Sequence, residues 1–152
     1  MPKIDLAKVP AKTGTSYPAP LAGIVRGRAA QALGDAGGLT QYGVNLVRLA
    51  PGAASAHRHW HEAEDEFVWM VEGELVLIEE TGETVMGPGD AATFKAGVAD
   101  GHHLVNRSGA DGVFLVVGSR ATRERCHYPD VDLAYASDGA GCGYTRKSGE
   151  PY

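Results

Sequence analysis

Histidines stand at alternate positions in the run HRHWHEAEDE: His57, His59 and His61, with Glu66 five residues after the last. A β-strand turns alternate side chains to one face, so a strand here presents three imidazoles together. The segment GHHLVN adds His102 and His103. Five of the six histidines in the chain therefore fall within two short stretches. Imidazole nitrogens with a carboxylate form a ligand set for a first-row transition metal, and this clustering is the strongest functional signal in the sequence.

Such a cluster needs a rigid frame. The chain carries 21 glycines and 8 prolines, which implies many turns and short connections. Strands are expected at Ile24–Arg28, Thr40–Leu49, Ala56–His61, Glu66–Val71, Glu74–Glu79, Glu83–Met86, Ala91–Phe94, His102–Asn106 and Val113–Gly118. Thr81-Gly82 reads as a hairpin turn, and Ala29–Leu33 as one helical turn ended by Gly34. No helix longer than two turns is expected. Short strands spaced by turn signals predict an all-β sandwich or barrel, and a jelly roll limits exposed edges. Residues 1–22, with Pro2, Pro10, Pro18 and Pro20, read as an extended arm, 23–120 as the barrel, and 121–152 as an irregular segment packed on it. In Glu66–Val71 both faces are apolar: Val68 and Met70 on one, Phe67, Trp69 and Val71 on the other. A sheet with one solvated face should not look like this. The second face must meet the N-terminal arm or a partner subunit, which makes a homodimer the expected assembly.

Composition closes off other classes. A chain of 152 residues, 43% hydrophobic and 22% charged, is one folded domain rather than a disordered one. A formal charge of −5 without a concentrated Lys/Arg cluster argues against nucleic acid as a partner. Cys126 and Cys142 form no CxxC and are expected as reduced thiols in a cytoplasmic protein. No apolar h-region opens the chain, so no signal peptide is expected. No apolar stretch approaches the ~18 residues of a membrane span.

The order of the pieces is informative. Pro51-Gly52 precedes the histidines; His59-x-His61 is followed by four residues, Glu66, six residues and Gly73. Downstream, Gly87-Pro88-Gly89-Asp90 leads through TFKAG to His102, three residues and Asn106. This resembles the two motifs of the cupin superfamily, HxH–(3,4)–E–(6)–G and PGD–strand–turn–H–(3)–N, over about residues 51–106. The wording HWHEAEDEFVWMVEGE and AGVADGHHLVNRS further resembles small single-domain bacterial cupins, many of which carry the name sugar-phosphate isomerase. Lys95 replaces the usual proline of the second motif, and two extra residues lie within Val98–Gly101.

The resemblance implies a double-stranded β-helix, the jelly-roll barrel of the cupins. It also implies one divalent transition metal per chain (Zn, Fe, Mn or Ni) on His59, His61, Glu66 and His102. The alternative register, His57-x-His59 with Glu64, meets Val71 where Gly73 stands in the chosen one. Three neutral imidazoles and one carboxylate leave the ion positive with open positions, the mark of a catalytic metal. His57 is then expected on the same face, as a support for the ligands, a substrate contact or a general base. His103 is expected outside the metal shell, and Asn106 as a fixing point for its strand. Trp60, Phe67, Trp69 and Met70 are expected in the core or an interface, and Glu62, Glu64 and Asp65 as a solvated turn. The implied function is a small-molecule enzyme, an oxygenase or an isomerase/lyase. The alternative is a sensor or carrier that uses the metal to anchor a small ligand.

Overall fold

The run VFLVVG and the alternating segment before Pro51 find each other across sixty residues of chain. In the computed structural model, which describes residues 3–152, Val113 lies opposite Arg48 and the antiparallel register runs on to Ser119 opposite Tyr42. Among the described residues there are thirteen strands: β1 (Ala11–Thr13), β2 (Arg28–Ala32), β3 (Tyr42–Leu49), β4 (Trp60–His61), β5 (Glu66–Glu72), β6 (Leu75–Glu79), β7 (Gly82–Met86), β8 (Ala91–Phe94), β9 (His103–Val105), β10 (Gly112–Ser119), β11 (Glu124–His127), β12 (Ala134–Ser137) and β13 (Cys142–Thr145). One short helix, α1 (Leu33–Ala36), follows β2.

The strands pair in three sheets. The first has six strands in the order β1-β2-β3-β10-β5-β8, the second is β7-β6-β9, and the third is β13-β12-β11-β4. Alternation decides what lies between the first two. Val47 and Leu49 of β3, Val68 and Met70 of β5 and Phe114 of β10 meet Leu75, Leu77, Met86 and Leu104 of the three-stranded sheet in one buried cluster. Removing each of these side chains from water contributes about 1.5–3 kcal/mol. This is the antiparallel jelly roll expected of the chain. On β5 the two apolar faces part as the pattern requires: Val68 and Met70 are buried, while Trp69 and Val71 remain about half exposed.

The barrel's turns use glycine where the backbone demands it. Gly73 joins β5 to β6 at φ +74°, with the Asp111 carbonyl pressed against the place a Cβ would take. That position also explains the glycine of the first motif: only a residue without a side chain makes this turn. In the second motif, the Asp90 side chain accepts from Gly87 N–H at 2.8 Å and closes the turn into β8. Asn106 is fully buried. Its side-chain amide donates to the Leu49 and Ala110 carbonyls, and its Oδ1 accepts from Ser108, tying the end of β9 to β3.

Some elements differ from the sequence reading. The expected strand at Ile24–Arg28 is instead the end of a 3-10 helix, Ala19–Val25, which Pro20 pre-sets by fixing φ inside its first turn. The strand starts at Arg28 and occupies the stretch expected as a helical turn. Pairing with β1 and β3 on both sides, together with hydrogen bonds from Gln31 Nε2 to the Leu6 and Val9 carbonyls, overrides the helix propensity of its alanines. The arm is therefore not extended throughout: it holds a 3-10 turn at Leu6–Lys8, the edge strand β1 and the start of the second 3-10 helix. Its Met1 and Pro2 lie outside the described residues. The segment 121–152, expected irregular, contains β11, β12 and β13. These join β4 in a sheet with its own small core of Cys126, Tyr128 and Leu133. β11, β12 and β13 pair with their chain neighbours, and only the β4–β11 pairing reaches far along the chain.

Candidate metal centre

Two backbone hydrogen bonds join the two histidine segments. His59 N–H donates to the His102 carbonyl at 3.2 Å, and His102 N–H donates to the His59 carbonyl at 2.9 Å. The bridge sets two imidazoles side by side, with ring centroids 5.2 Å apart. Glu66, at the start of β5, reaches the same place. His102 Nε2 donates to Glu66 Oε2 at 2.8 Å, and one donor atom from each of His59, Glu66 and His102 lies within 4.8 Å of the others.

His61 stands slightly apart. Its ring is 5.0 Å from that of His59, and its donor atoms group with His59 and Cys126, or with Glu64 and Glu124, rather than with Glu66 and His102. Its Nδ1 is buried without a hydrogen-bond partner, 3.7 Å from Glu124 Oε1. A buried, unsatisfied imidazole nitrogen is costly in a finished core. Here it marks a side chain whose partner is not supplied by the protein in this conformation.

The strand expected through Ala56–His61 is confined to Trp60–His61. Residues 55–58 bend, so the alternation does not run back to His57. The His57 ring turns to the N-terminal arm instead. Its Nε2 donates to the Leu21 carbonyl at 2.8 Å, and it meets the Tyr17 ring edge-on at 5.0 Å. Through its backbone, however, His57 does touch the site: its carbonyl accepts from His59 Nδ1 at 2.8 Å. That bond fixes the His59 tautomer and leaves Nε2 as the free lone pair.

Burial dominates the electrostatics. It lowers the pKa of His59 to about 4, and the charges of His61 and His102 add to this against the pull of Glu66. Burial works to raise Glu66, but the hydrogen bond from His102 and the neighbouring imidazoles prevail and hold its carboxyl below the usual range. The result is a neutral imidazole beside an ionised carboxylate, the protonation states that metal binding requires. Burial likewise raises the Cys126 thiol to about 12, so this sulfur is held as the thiol.

Aromatic rings brace the imidazoles. Phe94 lies parallel to His102 with centroids 3.5 Å apart, and Tyr128 stacks on His59 at 5.7 Å. Tyr128 opens the Tyr128-Pro129-Asp130 segment, and the structure gives that segment a role. The tyrosine supports a candidate ligand, the Pro129 ring packs where a Cβ at Gly101 would sit, and Asp130 receives two hydrogen bonds from Arg58, at 2.9 and 2.7 Å. The acidic run is more ordered than a solvated turn. Glu62 accepts from His127, Glu64 from Ala121 N–H and Asp65 from Ala96 N–H.

A cavity of about 270 Å³ opens on this cluster. His59, His61, Glu66 and His102 share its wall with His103, Arg28, Phe94 and apolar residues of both barrel sheets. His103, expected outside the metal shell, joins none of these donor groups but lines the same cavity. Its Nδ1 donates to the Ala56 carbonyl at 2.9 Å, leaving Nε2 as its free ring nitrogen. Glu124 was not legible as a site residue. It is buried behind His61, and its carboxylate accepts from Glu62 and Ala63 N–H. Glu124 arrives on β11 and Tyr128 immediately after it, both outside the two histidine segments.

Residues 45–118 match the cupin domain family. A sugar phosphate isomerase of the cupin superfamily from Silicibacter pomeroyi is 49% identical over 99% of this chain and 96% of its own, with a TM-score of 0.96. The chain belongs to the cupin superfamily. A candidate sugar phosphate isomerase from Acidithiobacillus ferrooxidans is 28% identical over 80% of this chain and 77% of its own, with a TM-score of 0.74. A polyketide cyclase from Streptomyces resistomycificus, 20% identical over 78% of this chain and 79% of its own with a TM-score of 0.65, shares the fold. No curated protein matches the sequence. Among the described residues of this cupin, no helix is long and apolar enough to cross a membrane.

Proposed function

We propose that this cupin is a metal-dependent enzyme acting on a small molecule, of the isomerase or lyase type. Its cofactor is one divalent transition metal per chain held by His59, His61, Glu66 and His102. The observation that carries this reading is the convergence of His59, Glu66 and His102 at one end of a buried cavity, with the Nε2 lone pair of His59 left free. His61, in the wall of the same cavity, would be the fourth donor. A bound divalent ion supplies Lewis-acid polarisation of a substrate oxygen. Of the two reaction types open to such a centre, the isomerase is favoured over the oxygenase by the activity named for the Silicibacter pomeroyi relative.

The chain's own residues have separable tasks. The His57 carbonyl orients His59 through its Nδ1 at 2.8 Å; with Nε2 given to a metal, His102 would turn its Nδ1 proton to the Asp100 carbonyl, 3.3 Å away. Phe94 and Tyr128 fix the ring planes and keep water from them. Proton transfer falls to His103, which lines the cavity, rather than to His57, whose Nε2 is engaged with Leu21.

The exposed face of β5, with Phe67, Trp69 and Val71, supports a homodimer. The arm adds β1 beyond β2 at the sheet edge and leaves this face open. Net charge −5 supports a small-molecule ligand without a nucleic-acid partner, and the free thiols Cys126 and Cys142 support a cytoplasmic location. The test is elemental analysis of purified protein together with turnover of aldose and ketose phosphates by protein loaded in turn with Zn, Fe, Mn and Ni. Stoichiometric metal with isomerisation is the expected result. A chain that holds no metal after loading overturns the reading, and tight metabolite binding without turnover replaces it with a carrier.

A further inference from the structure

The cavity wall holds one charged group that the candidate centre does not use. Gly27, at φ +89°, turns the chain into β2 at a point where a Cβ would crowd the Ala50 and Ala53 methyls. Strand alternation then carries Arg28 and Ala30 to one face, and Ala30 packs on the barrel core. A guanidinium is therefore brought inward at the head of the strand and lines the same cavity as His59, Glu66 and His102. Its Nε is buried without a hydrogen-bond partner.

The other arginines show how unusual this is. Arg48, Arg58, Arg107, Arg120 and Arg146 each hold a carboxylate, and Arg26, Arg123 and Arg125 are exposed to water. Arg28 is half-buried and lacks such a partner: among the described residues no carboxylate lies within ion-pair distance of it. Glu66, the acid in the same cavity, is engaged by His102. Withdrawing a cation from water without a partner is unfavourable. Burial pushes the pKa of Arg28 down, yet a guanidinium stays charged at any physiological pH. A fixed, unpaired cation in a small cavity is complementary to an anion that comes from outside.

We infer that Arg28 is the specificity residue of the site, anchoring the phosphate or carboxylate end of a small anionic substrate while the other end lies at the His59–Glu66–His102 cluster. This deepens the reading above and rests on it for the second half only. Ser55, also in the wall, accepts from Leu104 N–H at 3.0 Å, which leaves its hydroxyl proton to donate to the same anion. The cavity's roughly 270 Å³ lies below the about 300–1,000 Å³ of pockets for drug-sized ligands, so the substrate is short.

The test measures binding of glycerol 3-phosphate, glycerate and glycerol by calorimetry, to the wild type and to Arg28→Gln and Arg28→Lys, each with its metal content determined. The wild type should bind at least one of the two anions and not glycerol. Whichever anion binds more tightly identifies the end group as phosphate or carboxylate. Arg28→Gln should weaken binding at least about tenfold with metal content unchanged, and Arg28→Lys should lose less. Labelling of wild-type arginines with phenylglyoxal, mapped by mass spectrometry, gives a check independent of any variant's folding: the bound anion should protect Arg28. Failure of the wild type to bind either anion, equal binding by Arg28→Gln, or no protection overturns the inference and leaves the metal reading intact. Arg28-dependent anion binding by a chain that holds no metal does the reverse.

Discussion

His59 Nδ1 donates to the backbone carbonyl of His57, so the histidine two residues earlier supports the candidate ligand without using its ring. The two side chains therefore have separable roles. His57→Ala keeps the carbonyl and should keep metal at wild-type stoichiometry. Losing the Leu21 hydrogen bond and the Tyr17 contact should cost about 1–3 kcal/mol of stability. His59→Ala should lose most of the metal while the barrel still melts cooperatively. Elemental analysis and thermal melts of the two variants check this. Metal loss in His57→Ala equal to that in His59→Ala would show that the ring, not the carbonyl, matters.

The first motif's glycine offers a test of the frame. Gly73 combines φ +74° with a Cβ position already taken by the Asp111 carbonyl. A side chain there suffers both the left-handed penalty, about 1–2 kcal/mol, and a clash that the β5–β6 turn must open to relieve. Gly73→Ala should destabilise the fold by about 2 kcal/mol or more in urea melts. The control is Gly87→Ala, where nothing lies within 4 Å of the new Cβ. Equal stabilities of the two variants would contradict the turn geometry.

What the sequence discloses follows from how local each signal is. The alternation of Val68 and Met70 against Phe67, Trp69 and Val71 fixed the two faces of β5, because period two needs no tertiary information. The spacing of His59, Glu66 and His102 carried over because two short motifs sit on neighbouring strands. His57 was misplaced for the opposite reason: residues 55–58 bend, and alternation has no meaning in a bend. The β2 stretch was misread because alanine's local preference loses to pairing on both sides. Glu124 on β11 and Tyr128 just after it reach the site because β11 pairs with β4, some sixty residues earlier, and no local pattern announces that pairing. Arg28 is one of several arginines along the chain, and only the fold shows that it lines the cavity.

Acid should destabilise the metal-free protein through His59. Burial lowers its pKa from the ordinary 6.5 to about 4, so between these values the unfolded chain binds a proton that the folded chain refuses. Stability is therefore fully present above about pH 6.5 and falls as pH drops towards 4. The loss from this one group is of the order of 3 kcal/mol. Glu66, also depressed, adds a loss of the same sign at lower pH. Urea melts of chelated protein between pH 7 and 4 should show the decline, and His59→Gln should flatten it. A stability that holds constant across this range, or rises on acidification, contradicts the buried neutral imidazole.

The outward face of β5 sets the last expectation. Trp69 lies opposite Leu115 on β10 and Ala91 on β8, and Phe67 lies opposite Val117, so the exposed rings belong to one apolar strip across three strands. Trp69 is 49% exposed and Val71 is 50% exposed. Single exposed apolar residues are ordinary, but a contiguous strip on a sheet face marks an interaction surface. A second copy of the same strip is its simplest complement under two-fold symmetry. Light scattering should give a dimer for the wild type and a monomer for Trp69→Lys, with metal content the same in both. Trp69 is remote from the barrel interior, so the variant should remain folded by circular dichroism. A wild-type chain that stays monomeric at micromolar concentration excludes the dimer, and a dimer that survives Trp69→Lys places its interface elsewhere on the molecule.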